Sequence, residues 1–106
     1  DGIAVDETHV YWHNEGEGTI KRRGKTAGAI ETIVEDKVGS TRIIVDERHV
    51  YWTSTWGGQI KRADKNGKNV VVLATAQATP IDIAVDDTAL YWTTTVSHGR
   101  VMKCRK

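Results

Sequence analysis

Residues 3–12 read IAVDETHVYW, residues 43–52 read IIVDERHVYW and residues 83–92 read IAVDDTALYW. Asp6, Asp46 and Asp86 therefore recur every 40 residues, as do Tyr11, Tyr51, Tyr91 and Trp12, Trp52, Trp92. A second block follows each copy: GTIKRR from Gly18, GQIKRA from Gly58, and GRVMKC from Gly99, which arrives one residue late. A three-fold match over so many positions marks a repeat architecture, and a period of about 40 residues suits either a four-stranded blade or a helix pair.

Local pattern decides between the two. The segments are short, rich in Val, Ile, Thr, Tyr and Trp, and separated by Gly, Asn and Asp, which reads as strands. No stretch keeps an apolar i, i+3, i+4, i+7 stripe over a helical length. Each unit supplies a first strand (Ile3–Val5, Ile43–Val45, Ile83–Val85), a second (Val10–Trp12, Val50–Thr53, Leu90–Thr93) and a third (Thr19–Arg22, Gln59–Arg62, Arg100–Lys103). A fourth strand is expected at Ile30–Val34 and Val70–Ala74. The fold class is all-β: a β-propeller of four-stranded antiparallel blades, in one segment spanning 1–106. Its units run 3–34, 42–74 and 81–103, the last without its outer strand. The aspartates that open DETH, DERH and DDTA are turn formers, because a carboxylate there accepts backbone N–H groups two residues on.

The YW-containing block, Ile3–Asp6 with Val10–Trp12 and its two copies, resembles the YWTD-type β-propellers of low-density lipoprotein receptor relatives. It is similar still more closely to bacterial propeller repeats of the form IAVD…VYW…G-x-I-K-R. The likeness covers essentially the whole chain. The aspartate at the fourth motif position is replaced by Asn14, Ser54 and Thr94. The resemblance implies a ring of about six blades, a binding role and a secreted or extracytoplasmic setting. A blade buries its faces only against neighbours, so an isolated segment leaves apolar flanks and sheet edges uncovered. The expectation is a homo-oligomer or a ring completed by further blades of a longer chain.

Composition narrows the function classes. The 106 residues carry a formal net charge of +1, without the basic excess of a dedicated nucleic-acid binder. No apolar run is long enough to insert into a membrane as a helix. One cysteine, Cys104, permits no internal disulfide and carries no nucleophile signature. No metal-ligand spacing or catalytic constellation stands out, so neither a metal, a cofactor nor a catalytic residue is expected.

Comparison among the three units separates scaffold from candidate site. Positions identical in all copies serve the blade, and Tyr11, Tyr51, Tyr91 with the three tryptophans are expected to fill the space between sheets. Divergence concentrates in the loops between strands two and three and in the residues leading into strand one. These share one end of a propeller, where repeat folds collect function. The candidate ligand-binding residues there are Trp56, His13, Asn14, Glu15, Arg42, Ser54, Asp82, Thr94 and His98. Trp56 breaks the repeat beside Gly57 and Gly58, and suits stacking on a sugar or insertion into a partner. The expected function is non-enzymatic binding of a protein or carbohydrate at this loop face. The alternative is part of a propeller hydrolase or lyase, lactonase-like, whose site at the central channel would draw on Asp82, Arg42, His13, Glu15 and His98.

Overall fold

The structure is a computed structural model that describes residues 2–14, 17–35, 40–54, 57–77, 80–94 and 100–106. These residues form eleven strands and, among them, no helix. The first sheet holds β1 (Ile3–Val5), β2 (His9–Asn14), β3 (Thr19–Gly24) and β4 (Glu31–Glu35). The second holds β5 (Ser40–Val45), β6 (His49–Ser54), β7 (Gln59–Asp64) and β8 (Val71–Ala74). The third holds β9 (Pro80–Val85), β10 (Ala89–Thr94) and β11 (Arg100–Arg105). Each sheet is an antiparallel meander in chain order. The register repeats as faithfully as the sequence: Tyr11 pairs with Arg22, Tyr51 with Arg62 and Tyr91 with Lys103. Three blades of a β-propeller are the result, the third with three strands among its described residues.

Alternation along the strands gives every blade two apolar faces, and adjacent blades press unlike faces together. One core joins Tyr11, Ile20, Ile33 and Val34 of the first blade to Ile43, Val50, Trp52 and Ala63 of the second. The other joins Tyr51 and Ile60 of the second blade to Ile83, Leu90 and Trp92 of the third. The tyrosine of one blade thus meets the tryptophan-bearing face of the next. Burial of large aromatics at a fixed interval supplies the main apolar driving force for the stack.

Two features departed from a simple reading of the pattern. Ile30 and Val70 precede β4 and β8 rather than opening them, and both are exposed. A register shift at Ile20/Lys21 and its equivalent at Ile60/Lys61 leaves Ile33 and Leu73 as the extra residues of β4 and β8. The bulge breaks the period of two, which is why the consecutive residues Ile33 and Val34 are both buried.

Gly2 has a specific steric role. A Cβ there would stand 2.8 Å from Ile43 Cγ2 and 2.9 Å from Ile43 N. Only glycine admits the second blade this close. Gly18 and Gly58, with φ of 66° and 63°, supply the left-handed step of the equivalent β2–β3 and β6–β7 turns, which other residues disfavour.

Candidate functional site

The ends of each blade differ in kind. At one end the turns joining strands one and two are built alike in all three blades. Asp6 Oδ1 accepts the N–H groups of Thr8 and His9 at 2.9 and 2.8 Å. Asp46 does the same for Arg48 and His49, and Asp86 for Thr88 and Ala89. The second oxygen of each accepts a tyrosine hydroxyl: Tyr11 at 2.9 Å, Tyr51 at 2.7 Å and Tyr91 at 2.9 Å. The aspartates are turn formers, as their position suggests, and they also anchor the aromatic layer.

A lysine from the following blade completes two of these clusters. Lys65 Nζ donates to Asp6 Oδ2 at 2.8 Å, and Lys106 Nζ to Asp46 Oδ2 at 2.9 Å. Arg22 adds a second link between blades by donating to the Lys65 carbonyl at 2.9 Å. Burial alone would raise the Asp6 carboxyl. The Lys65 ammonium, the His9 and Thr8 N–H groups and the Tyr11 hydroxyl outweigh it and hold the group well below the usual carboxylate range. Asp46 follows the same logic, with burial opposed by Tyr51, Arg48, Lys106 and His49. Burial and the ionised Asp6 push the Tyr11 phenol up to about 12. Carboxylates held ionised in this way cannot act as general acids near neutral pH. Open grooves of 630 and 560 Å³ lie between neighbouring turns at this end. Asp46 and Glu47 line both, and Asp46 is committed to the internal network.

The other end carries the sequence-predicted site. The register places the start of strand one beside the end of strand two: Arg42 opposite Thr53 and Asp82 opposite Thr93. In both blades the register slips by one residue there, between Ser40 and Arg42 and between Thr93 and Thr94. Such bulges re-aim the side chains that follow. The Arg42 N–H donates to the Thr53 hydroxyl at 3.2 Å, and the Ile83 N–H to Asp82 Oδ1 at 2.9 Å. Across the blade boundary Arg42 Nε stands 3.6 Å from Asp82 Oδ1, with both side chains more than half exposed. An exposed pair of this kind adds little to stability, so its surface position leaves it available to a partner.

The remaining candidates divide sharply. His13, Ser54 and Thr94 are buried and Asn14 is half-buried. The Ser54 and Thr94 hydroxyls have no hydrogen-bond partner among the described residues. Glu15, Trp56 and His98 lie outside the described residues. Arg42 and Asp82 are thus the two described candidates that the structure both brings together and presents to solvent. Among the described residues no group of three His, Cys, Asp or Glu is placed to hold a metal ion, and no helix is long and apolar enough to cross a membrane. The lysine bridges are the structural residues that the sequence reading missed. Their signal was available, because Lys25, Lys65 and Lys106 recur at the repeat interval, the last one residue late.

Solved propeller structures contain the same arrangement of packed antiparallel sheets. A chain in the crystal structure of a nidogen/laminin complex superposes with a TM-score of 0.87 at 26% identity, matching 98% of this chain and 43% of its own. The architecture is that of a propeller segment. A streptogramin B lyase follows with a TM-score of 0.75 at 14% identity, over 99% of this chain and 40% of its own. The computationally designed protein Ika8 gives a TM-score of 0.79 at 17% identity, over 94% of this chain and 31% of its own. The chain therefore spans less than half the length of each. No protein-family model matches it, and no curated protein does either.

Proposed function

We propose that this segment is a non-enzymatic binding module of the YWTD type, which offers its loop end to a protein ligand. One observation carries the reading. Where the repeat diverges, at the residues leading into strand one, it places Arg42 and Asp82 side by side and exposed, while the shared aspartates and tyrosines, with Lys65 and Lys106, are spent on the scaffold. Similarity to a chain from a nidogen/laminin complex supports a protein as ligand. Trp56, two residues beyond β6 in the sequence, is the candidate this reading assigns as the apolar anchor of the interface. The uncovered blade flanks are closed by homo-oligomerisation or by further blades of a longer chain.

The test is surface plasmon resonance of the chain over immobilised laminin, together with a glycan array. Arg42→Glu, Asp82→Lys and Trp56→Ala should each weaken laminin binding at least tenfold without changing the circular dichroism. Binding on the array that is lost only in Trp56→Ala would transfer the ligand class to carbohydrate. Turnover of a lactone that is lost in Asp82→Ala would replace the binding reading with an enzymatic one.

A further inference from the structure

The two internal junctions define what a blade needs from its neighbours. One face presents Ile43, Val50 and Trp52 in the second blade, and Ile83, Leu90 and Trp92 in the third. The opposite face receives them with Tyr11 and Ile20 in the first blade, and Tyr51 and Ile60 in the second. A lysine on the presenting blade then reaches the aspartate on the receiving blade at 2.8 and 2.9 Å. Apolar packing and a single charge pair are thus combined twice in the same geometry.

Each half of this junction also stands uncovered at one end of the chain. The first blade presents Ile3, 72% exposed where its equivalents Ile43 and Ile83 are 3% and 7% exposed. Val5 is exposed and Trp12 half-buried on the same face. Lys25 occupies the position of Lys65 and Lys106, pairs its N–H with the Thr8 carbonyl, and has no carboxylate at ion-pair distance among the described residues. At the far end the third blade offers the receiving face. Val101 is 74% exposed where Ile20 and Ile60 are fully buried. Tyr91 is partly exposed, and Asp86 is reached by its own turn and by Tyr91 but by no lysine among the described residues. One end lacks an aspartate for its lysine, and the other lacks a lysine for its aspartate.

We propose that these flanks are the two halves of one interface: the first blade of one copy docks on the third blade of a second copy, and Lys25 Nζ donates to Asp86 Oδ2. The contact is head-to-tail, since the surfaces it joins are different. It repeats the step that relates the first blade to the second and the second to the third. Trp12, Ile3 and Val5 would cover Tyr91 and Val101 as Trp52 and Ile43 cover Tyr11 and Ile20. The inference makes one form of flank closure specific, and it does not depend on what the loop end binds.

Size-exclusion chromatography with light scattering tests it on the 106-residue chain. The wild type should elute as a multiple of 11.8 kDa. Lys25→Glu and Asp86→Lys alone should each raise the dissociation constant at least tenfold, because each places like charges at every junction. An equimolar mixture of the two variants should regain the assembly, since alternating copies then pair Glu with Lys and Lys with Asp. Asp86→Lys also removes the acceptor of its own turn, so Asp86→Asn, which keeps an acceptor there, should weaken assembly with an unchanged circular dichroism spectrum. A wild type that stays at 11.8 kDa would overturn assembly by a second copy while leaving closure by further blades standing. An oligomer indifferent to both charge changes, or a mixture that fails to reassemble, would overturn the lysine–aspartate junction.

Discussion

Tyr51→Phe isolates the internal network most cleanly, because it removes one hydroxyl and leaves the ring. That hydroxyl lies 2.7 Å from Asp46 Oδ2, and Tyr51 is fully buried. A hydrogen bond to a charged acceptor contributes about 1.5–3 kcal/mol. Asp46 keeps Lys106 and two N–H donors and retains 15% side-chain exposure, so a loss near the lower limit, about 1.5–2 kcal/mol, is expected. For a domain of this size that lowers the melting temperature by roughly 6–16 °C. Tyr91→Phe removes the same hydroxyl at the open flank, where water replaces it, and should leave the midpoint close to wild type.

Urea titration followed by tryptophan fluorescence, at a concentration where the chain is monomeric, measures both variants. The pH dependence gives an independent check. Asp46 is depressed in the folded state, so its contribution is complete above the unfolded carboxylate value of about 4 and is lost as pH falls through the folded one. Tyr51 bonds the ionised form and the unfolded chains titrate alike, so the gap between wild type and Tyr51→Phe should hold down to about pH 4 and narrow only as pH falls below it. Equal losses for Tyr51→Phe and Tyr91→Phe, or a gap that stays constant below that pH, would refute the reasoning.

Lys65→Met should cost about 1–2 kcal/mol, between the surface and buried limits for an ion pair, because it leaves Asp6 poorly exposed without its cation; chemical denaturation in low and high salt measures it. The alkaline limb should fall as well: Tyr11 is raised to about 12, so its stabilising contribution is present below the ordinary phenol value of about 10 and disappears as pH rises past that value toward 12. A thermal melt series with a Tyr11→Phe control reads this loss. Gly2→Ala should destabilise by about 1–3 kcal/mol through overpacking, since the new Cβ meets the Ile43 backbone as well as its side chain; a thermal melt of the variant beside the wild type measures it.

The repeat made the strands legible. Its copies of IAVD and VYW place β1, β5 and β9 beside β2, β6 and β10 without reference to distance in space. The bulges were not legible, because Ile33 and Leu73 look like ordinary members of an apolar run until the register slips at Ile20/Lys21 and Ile60/Lys61. At the loop end, Arg42 and Asp82 were recognisable as variable positions, but their contact joins two sheets 40 residues apart and no local spacing announces it. Burial of His13, Ser54 and Thr94 was equally hidden. These residues continue strand two inward, whereas a pattern that diverges between copies suggested surface.

The lysine bridges help explain why the turns joining strands one and two keep their aspartate and tyrosine in every copy. A carboxylate that accepts two N–H groups, a phenol and an ammonium cannot be altered without leaving several partners unmet, so Asp6 and Asp46 tie turn, core and neighbouring blade together. Among the described residues the opposite end shows no such network repeated in all three blades. Gly2, Arg42 and Asp82 stand at one equivalent position yet differ in size and charge, and the backbone pairs of strands one and two persist beside all three. A scaffold held at its turns can therefore vary its other rim residue by residue. The proposed ligand contacts at Arg42 and Asp82 fall on that tolerant rim, while the proposed contact between copies uses the constrained one. Substitutions that change ligand choice need not disturb assembly, and charge changes at Lys25 should break assembly without touching the residues assigned to the ligand.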